Sequence, residues 1–304
     1  NPAKVSFPWS MIDKITPRPD ASVKKMLEDA GFTDTESIVT SKNTYVAPFV
    51  NAEEAQYLVI ENAFPNGRPA LENAGVMFTS RETVEKVERM KVCTCLNPLH
   101  TALAVYGCLL GYTKISDEMK DADLVKLVEI IGYKEGLPVV TDPGILSPKK
   151  FIDEVLQIRV PNPFMPDTPQ RIACDTSQKL SIRFGETIKE YMASSELDVK
   201  SLKFIPMVQA GWCRYLLGVD DELNAFTVSP DPVYEELAGK LAGVKVGESC
   251  DVHAVLSPIL SDAKIFGVNL YEAGLGEYVE SIFAELIAGK GAVRETLKRH
   301  LAEA

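Results

Sequence analysis

The alternation of hydrophobic and polar positions changes its rhythm near residue 82. Over 5–80, apolar residues come in short runs broken by turn residues. The runs 44–50 and 57–60 have the length and the β-branched or aromatic content of strands. Phe7-Pro8-Trp9-Ser10 and Phe64-Pro65-Asn66-Gly67-Arg68-Pro69 carry the Pro and Gly signals of loops and turns. From about residue 83 the period is helical, over 84–112, 119–131, 148–158, 169–192, 201–217, 232–241 and 270–301. Thr168 before Pro169 and Ser147 before Pro148 each set a capping hydroxyl ahead of a first-turn proline, which marks two helix starts. The pattern predicts a mainly α chain in two parts: residues 1–82 with a few strands and loops, and residues 83–304 as a helical domain. No internal repeat, low-complexity tract or long linker divides it further.

Composition narrows the class of partner. The 304 residues are 46% hydrophobic, ample for a sizeable core. With 43 acidic against 32 basic residues the net charge is −11, which argues against non-specific binding to nucleic acid or to an anionic membrane. A small molecule is the expected partner. The six cysteines, Cys93, Cys95, Cys108, Cys174, Cys213 and Cys250, lie mostly in apolar stretches, where a free thiol behaves as a small buried hydrophobe, and this fits a reducing cytoplasm. No apolar run is expected to reach the ~18 residues that span a bilayer. The first residues carry Asp13 and several prolines where a signal peptide needs an unbroken apolar core. The sequence starts at Asn1 rather than Met, so its first residue is expected to be a processing or cloning boundary.

Chemistry concentrates in Lys91-Val92-Cys93-Thr94-Cys95-Leu96-Asn97-Pro98-Leu99-His100, where an amine, an amide and an imidazole sit among apolar neighbours that make their burial costly. On a helix, Asn97 and His100 share a face. Each also has an ordinary structural use: Asn97 as the cap of a helix starting at Pro98, His100 as a satisfied core histidine, Lys91 as a solvated side chain. Arg171 and Lys179, eight apart, fall about 80° from each other around a helix and can lean into one cleft. Their rival arrangement is a surface ladder in which Asp175 pairs with both at four-residue spacing. A metal site is not expected, because Cys93-x-Cys95 lacks the usual zinc spacing and His100, His253 and His300 are far apart. No glycine-rich strand-turn-helix fingerprint for a dinucleotide is present. Gly274-Leu275-Gly276 and Gly289-Lys290-Gly291 read as helix breaks.

Four segments in order resemble the mannitol dehydrogenase family, the polyol-specific long-chain dehydrogenases. Phe7-Pro8-Trp9-Ser10-Met11-Ile12-Asp13-Lys14-Ile15-Thr16-Pro17 is similar to the family's Phe-Pro-x-x-Met-(Val/Ile)-Asp-(Arg/Lys)-Ile-x-Pro segment. Phe64 to Pro69 is similar to its Phe-Pro-x-Gly-Arg-Pro loop, Lys91…Asn97-x-x-His100 to its Lys…Asn-x-x-His signature, and Arg171-Ile172-Ala173-Cys174-Asp175-Thr176-Ser177-Gln178-Lys179 to its Arg-Ile-x-x-Asp-x-x-x-Lys helix. The resemblance implies a helical substrate domain preceded by the last strands and loops of a Rossmann-type domain, whose fingerprint would lie upstream of Asn1. It implies metal-independent hydride transfer between NAD or NADP and a ketohexose or keto hexuronate, with fructose to mannitol and fructuronate to mannonate foremost. In that reading Lys91 is the general acid/base, which requires its pKa to come down from about 10.4. Asn97 stabilises the oxyanion, His100 bonds a hydroxyl and Asp13 helps orient the proton, although a loop-capping carboxylate is the plainer use of Asp13. Arg171 and Lys179 grip distal hydroxyls or a carboxylate. One departure stands out: five residues separate Lys91 from Asn97 where the family usually has four. On a regular helix the extra residue turns Lys91 a further ~100° away, so the reading needs a π-bulge or a break before Pro98. The other class of function left open is a helical domain that binds a sugar acid or a protein without turnover.

Overall fold

A computed structural model describes residues 5–14, 19–50, 57–164 and 167–304, and the side chain of Asp13 lies outside the described part. Among the described residues five strands lie within the first 79 positions: β1 (Ser10–Asp13), β2 (Ile38–Val39), β3 (Tyr45–Val46), β4 (Tyr57–Glu61) and β5 (Met77–Thr79). They form a three-stranded sheet in the order β1-β4-β5 and a separate β2-β3 ribbon. β1 runs antiparallel to β4 with Met11 opposite Val59, and β4 runs parallel to β5. Met11 and Val59 are both buried and belong to the same core as the helices. This face of the sheet is therefore fixed to the helical body, a join reinforced by Tyr57, whose hydroxyl donates to Glu154 at 3.0 Å and whose ring packs 5.1 Å from Phe151.

The strand expected over 44–50 shrinks to Tyr45–Val46. Every residue of the β2-β3 ribbon is exposed, so no buried face extends the pairing. A helix at Ala21–Asp29, capped by Asp20, adds to those the pattern predicts; it carries a short apolar stripe of Val23, Met26 and Leu27 but buries none of its residues. The Phe64–Pro69 segment is a loop around Arg68, whose guanidinium stacks 3.4 Å from the Phe78 ring and pairs with Glu72 at 2.5 Å.

Arg81–Leu109 forms one long rod: an α-helix over Arg81–Met90, a π-helical turn over Lys91–Cys95 and a second α-helix over Asn97–Leu109. By length and hydropathy this rod passes for a membrane span, which corrects the expectation that no run would; yet 83% of its most apolar window is buried within the protein. Its apolar surface is used as core, and eleven residues of its second half are buried. Phe204–Tyr215 crosses it where Gly211 lets the Tyr106 ring approach, and Gly276–Leu286 packs against Phe204–Tyr215 in turn. The expected caps form: Ser147 accepts from the Lys150 amide at 3.3 Å and Thr168 from the Arg171 amide at 3.2 Å. Helices at Ile115–Glu118, Val252–Leu260 and Ala263–Phe266 add to those expected.

Candidate active site

The extra residue between Lys91 and Asn97 is taken up in the backbone. Lys91–Cys95 winds as a π-helix, with the Leu96 amide donating to the Lys91 carbonyl at 3.1 Å, and Leu96 then breaks the winding at φ −132°. A five-residue hydrogen-bonded turn advances less per residue than an α turn, which cancels the rotation that an added residue would bring. Lys91 consequently faces the same cleft as Asn97 and His100.

That cleft, of about 280 Å³, is lined by Lys14, Lys91, Leu96, Asn97, His100, Asp167, Arg171, Ile172, Lys179 and Arg183. Five of the six residues singled out in the sequence are among them. The sixth, Asp13, ends β1 beside Ile12, whose carbonyl lies 3.5 Å from the Lys91 ammonium; of its own side chain nothing is described. Sequence reasoning passed over Lys14, Asp167 and Arg183. The helical register 171–179–183 could have suggested Arg183, which stands four residues beyond Lys179.

Asn97 does not cap its helix: it is the first helical residue, no side chain caps that end, and its buried Oδ1 has no hydrogen-bond partner among the described residues. A buried amide acceptor left unused is rare and costly, and it marks a group held for something else. The ring of His100, partly buried, makes no hydrogen bond to a described residue. Burial pushes its pKa down to about 4, opposed by the Asp167 carboxylate and reinforced by Arg183, Arg159 and Arg171. It is therefore a neutral imidazole near pH 7, able to donate from one nitrogen and accept at the other.

The Arg171–Lys179 segment is not one continuous helix. It winds as α over Pro169–Ile172, breaks at Asp175 in the left-handed region (φ 53°), and resumes as a 3₁₀ turn over Thr176–Gln178. The break dissolves the Asp175 ladder: Arg171 makes a bidentate pair with Asp167 instead, its Nε at 2.6 Å from one carboxylate oxygen and an Nη on the other. Lys179 donates to the carbonyls of Ile172, at 3.2 Å, and Cys174. Burial, with Arg183 nearby, holds the Lys179 pKa below its ordinary value. Arg183 sits in a π-helical turn, Ser181–Gly185, and donates to Thr101 Oγ1 at 2.6 Å. The lining carries five cationic side chains against the one carboxylate of Asp167, in a protein whose net charge is −11.

Neither glycine pair offers a phosphate cradle. The amides of Val293 and Arg294, at the helix start after Gly291, are already taken by the Asp221 carboxylate at 2.8 and 3.0 Å. Gly276 is closed off by the Tyr271 ring, which a Cβ there would meet at 2.4 Å. No strand precedes either pair among the described residues, so these residues do not fit a dinucleotide pyrophosphate.

A mainly α body with a small sheet at its flank and a cleft of basic lining defines a class of domain that comparison with known proteins makes specific. Residues 83–282 match the mannitol dehydrogenase C-terminal domain, and the chain belongs to the mannitol dehydrogenase family. It is similar to a D-mannonate oxidoreductase of Thermotoga maritima, 60% identical over 97% of this chain and 55% of that protein. It is similar also to a mannitol 2-dehydrogenase of Aspergillus niger, 31% identical over 86% of this chain and 51% of the relative. The solved Pseudomonas fluorescens mannitol 2-dehydrogenase, in ternary complex with NAD and D-mannitol, superimposes with a TM-score of 0.77 at 26% identity, covering 99% of this chain and 56% of that one. The chain thus spans about half the length of the curated relatives that it matches.

Proposed function

We propose that this chain is the substrate-binding and proton-transferring part of a cytoplasmic, metal-independent NAD(P)-dependent oxidoreductase that interconverts a keto hexuronate and its reduced sugar acid, fructuronate and mannonate foremost. The observation that carries the reading is the meeting of Lys91, Asn97 and His100 in one cleft, brought about by the π-helical turn between them. The basic lining favours a carboxylated substrate over a neutral polyol, and the 60% identity to a D-mannonate oxidoreductase points the same way.

Lys91 takes the hydroxyl proton when the sugar acid is oxidised and returns it when the ketone is reduced. Asn97 offers its amide hydrogens to the oxygen as negative charge grows on it, without a change in its own charge. His100, neutral, fixes a neighbouring hydroxyl, and Asp13 would orient the proton at Lys91. Arg171 and Lys179 flank the hydroxyls of the sugar chain beyond the reacting carbon. The dinucleotide supplies hydride chemistry; residues outside these 304 would hold it, in a nucleotide-binding domain of which residues 1–82 are the closing strands and residues 83–304 the helical companion.

The test is expression from the complete coding sequence, followed by NADH and NADPH oxidation against fructuronate, tagaturonate and fructose. Turnover fastest with a keto acid supports the reading. Absence of turnover with every ketose and keto acid rejects it in favour of a binding domain.

A further inference from the structure

We infer that Arg183 receives the carboxylate of the sugar-acid substrate, a role that rests on the oxidoreductase reading above and is separate from proton handling. The cations of the cleft differ in how far their charge is already engaged. Arg171, with its side chain 63% exposed at the rim, is held by both oxygens of Asp167. Lys179 is anchored on two backbone carbonyls. Arg183 is partly buried, faces the cleft and donates from one Nη to the Thr101 hydroxyl, a neutral acceptor; no carboxylate among the described residues pairs with it.

A desolvated guanidinium without a counter-ion is unfavourable, and burial has pushed this one down to about 10. Its planar fork retains donors that match a carboxylate's two oxygens. The fork is also held in place. Thr101 Oγ1 accepts from Arg183 and donates to the Asn97 carbonyl at 2.9 Å, which ties the guanidinium to the turn that carries Asn97 and His100. From the other side, Gly185 lies so close to the Phe266 carbonyl that a Cβ would meet it at 2.2 Å, so the turn bearing Arg183 is seated hard against its neighbour. An anion docked on Arg183 would share one short stretch of cleft with the groups that handle the proton.

Two anions have the required chemistry, a sugar carboxylate and a dinucleotide phosphate, and we assign the first. The test compares the full protein with Arg183→Gln, Arg183→Lys and Arg171→Gln, using fructuronate and its neutral methyl ester. Arg183→Gln is expected to cut kcat/KM for the acid about 30-fold through KM, as loss of a bidentate charged contact would, while the ester changes less than about threefold. Arg183→Lys should recover part of the loss, and Arg171→Gln should leave the acid-to-ester ratio near that of the parent. Equal losses on acid and ester, a loss confined to the KM of NAD(P)H, or collapse of the ratio in Arg171→Gln would each overturn the assignment. A second arm needs no turnover: mannonate should raise the melting temperature of the parent and not of Arg183→Gln, with mannitol as the neutral control. A mannonate shift without turnover would reject the redox reading alone; no mannonate shift in the parent would overturn the role of Arg183.

Discussion

Lys91, Asn97 and His100 have three different electrical characters, and each predicts its own phenotype. If Lys91 carries the proton as proposed, replacing it with Ala should lower kcat by about 10²- to 10⁴-fold in the full enzyme. On the same proposal Asn97→Ala would remove a donor to the developing oxyanion and should cost about 10²- to 10³-fold in kcat. Steady-state kinetics at saturating keto acid checks both, with a melting curve to show that the fold survives. His100 instead reports through stability. Its folded pKa, about 4, lies below the ordinary value near 6.5, so between those values the unfolded chain binds the extra proton. Stability should therefore fall as pH drops from about 6.5 to about 4, by about 1 to 3 kcal/mol for this one group. His100→Gln should flatten that part of the curve in denaturant melts at pH 7 and 4.5; an unchanged slope would refute the burial argument.

Among the elements, the π-helical turn at Lys91–Cys95 decides whether a site exists. The residue types at Lys91, Asn97 and His100 can be read directly from the chain, as can the one-residue excess between the first two. The winding that absorbs the excess cannot, because α and π turns differ only in which carbonyl each amide selects, and packing of the rod against its neighbours makes that choice. The Asp175 ladder failed for a related reason: four-residue spacing forecasts pairs only where the helix is continuous, and the left-handed Asp175 ends it. Helix starts supported at long range were equally invisible. The Phe204–Tyr215 helix has no local side-chain cap; Glu135, 68 residues earlier, accepts from the amides of Lys203, Phe204 and Ile205 at 2.6 to 2.8 Å. Burial keeps the Glu135 pKa raised while those three amides pull it down. Glu135→Ala strands the three donors and should destabilise the protein by about 3 kcal/mol, measurable as a lower urea midpoint.

Over the whole molecule, charge is distributed against its average: an acidic protein encloses a cleft with a basic lining and, elsewhere, a carboxyl that burial keeps protonated. Glu118 is fully buried, neither carboxyl oxygen has a partner among the described residues, and it packs so tightly on Gly107 that a Cβ there would meet it at 2.1 Å. Burial, helped by Asp121, pushes its pKa up to about 9. Here the folded state keeps a proton that the unfolded chain releases near 4.5, so stability contributed by the neutral acid is lost as pH rises from about 4.5 towards 9. Glu118→Gln, which cannot ionise, should match the parent at pH 4 and melt higher at pH 8. A variant that melts lower at both values would show that the carboxyl is used for something the neutral amide cannot reproduce.

By itself, the sequence determined what depends on neighbours along the chain. Periodicity set the helical body, hydroxyl-proline pairs set two of its caps, and the ordered motifs set the family. Tertiary structure alone decided what depends on residues far apart: the π turn that brings Lys91 round to Asn97, the contact of Arg183 with Thr101, and the burial that neutralises His100 and Glu118. Local backbone preferences act over a few residues and leave their mark in the order of the chain. Desolvation and packing arise only when distant segments meet, and these are what give the cleft its shape and its charge.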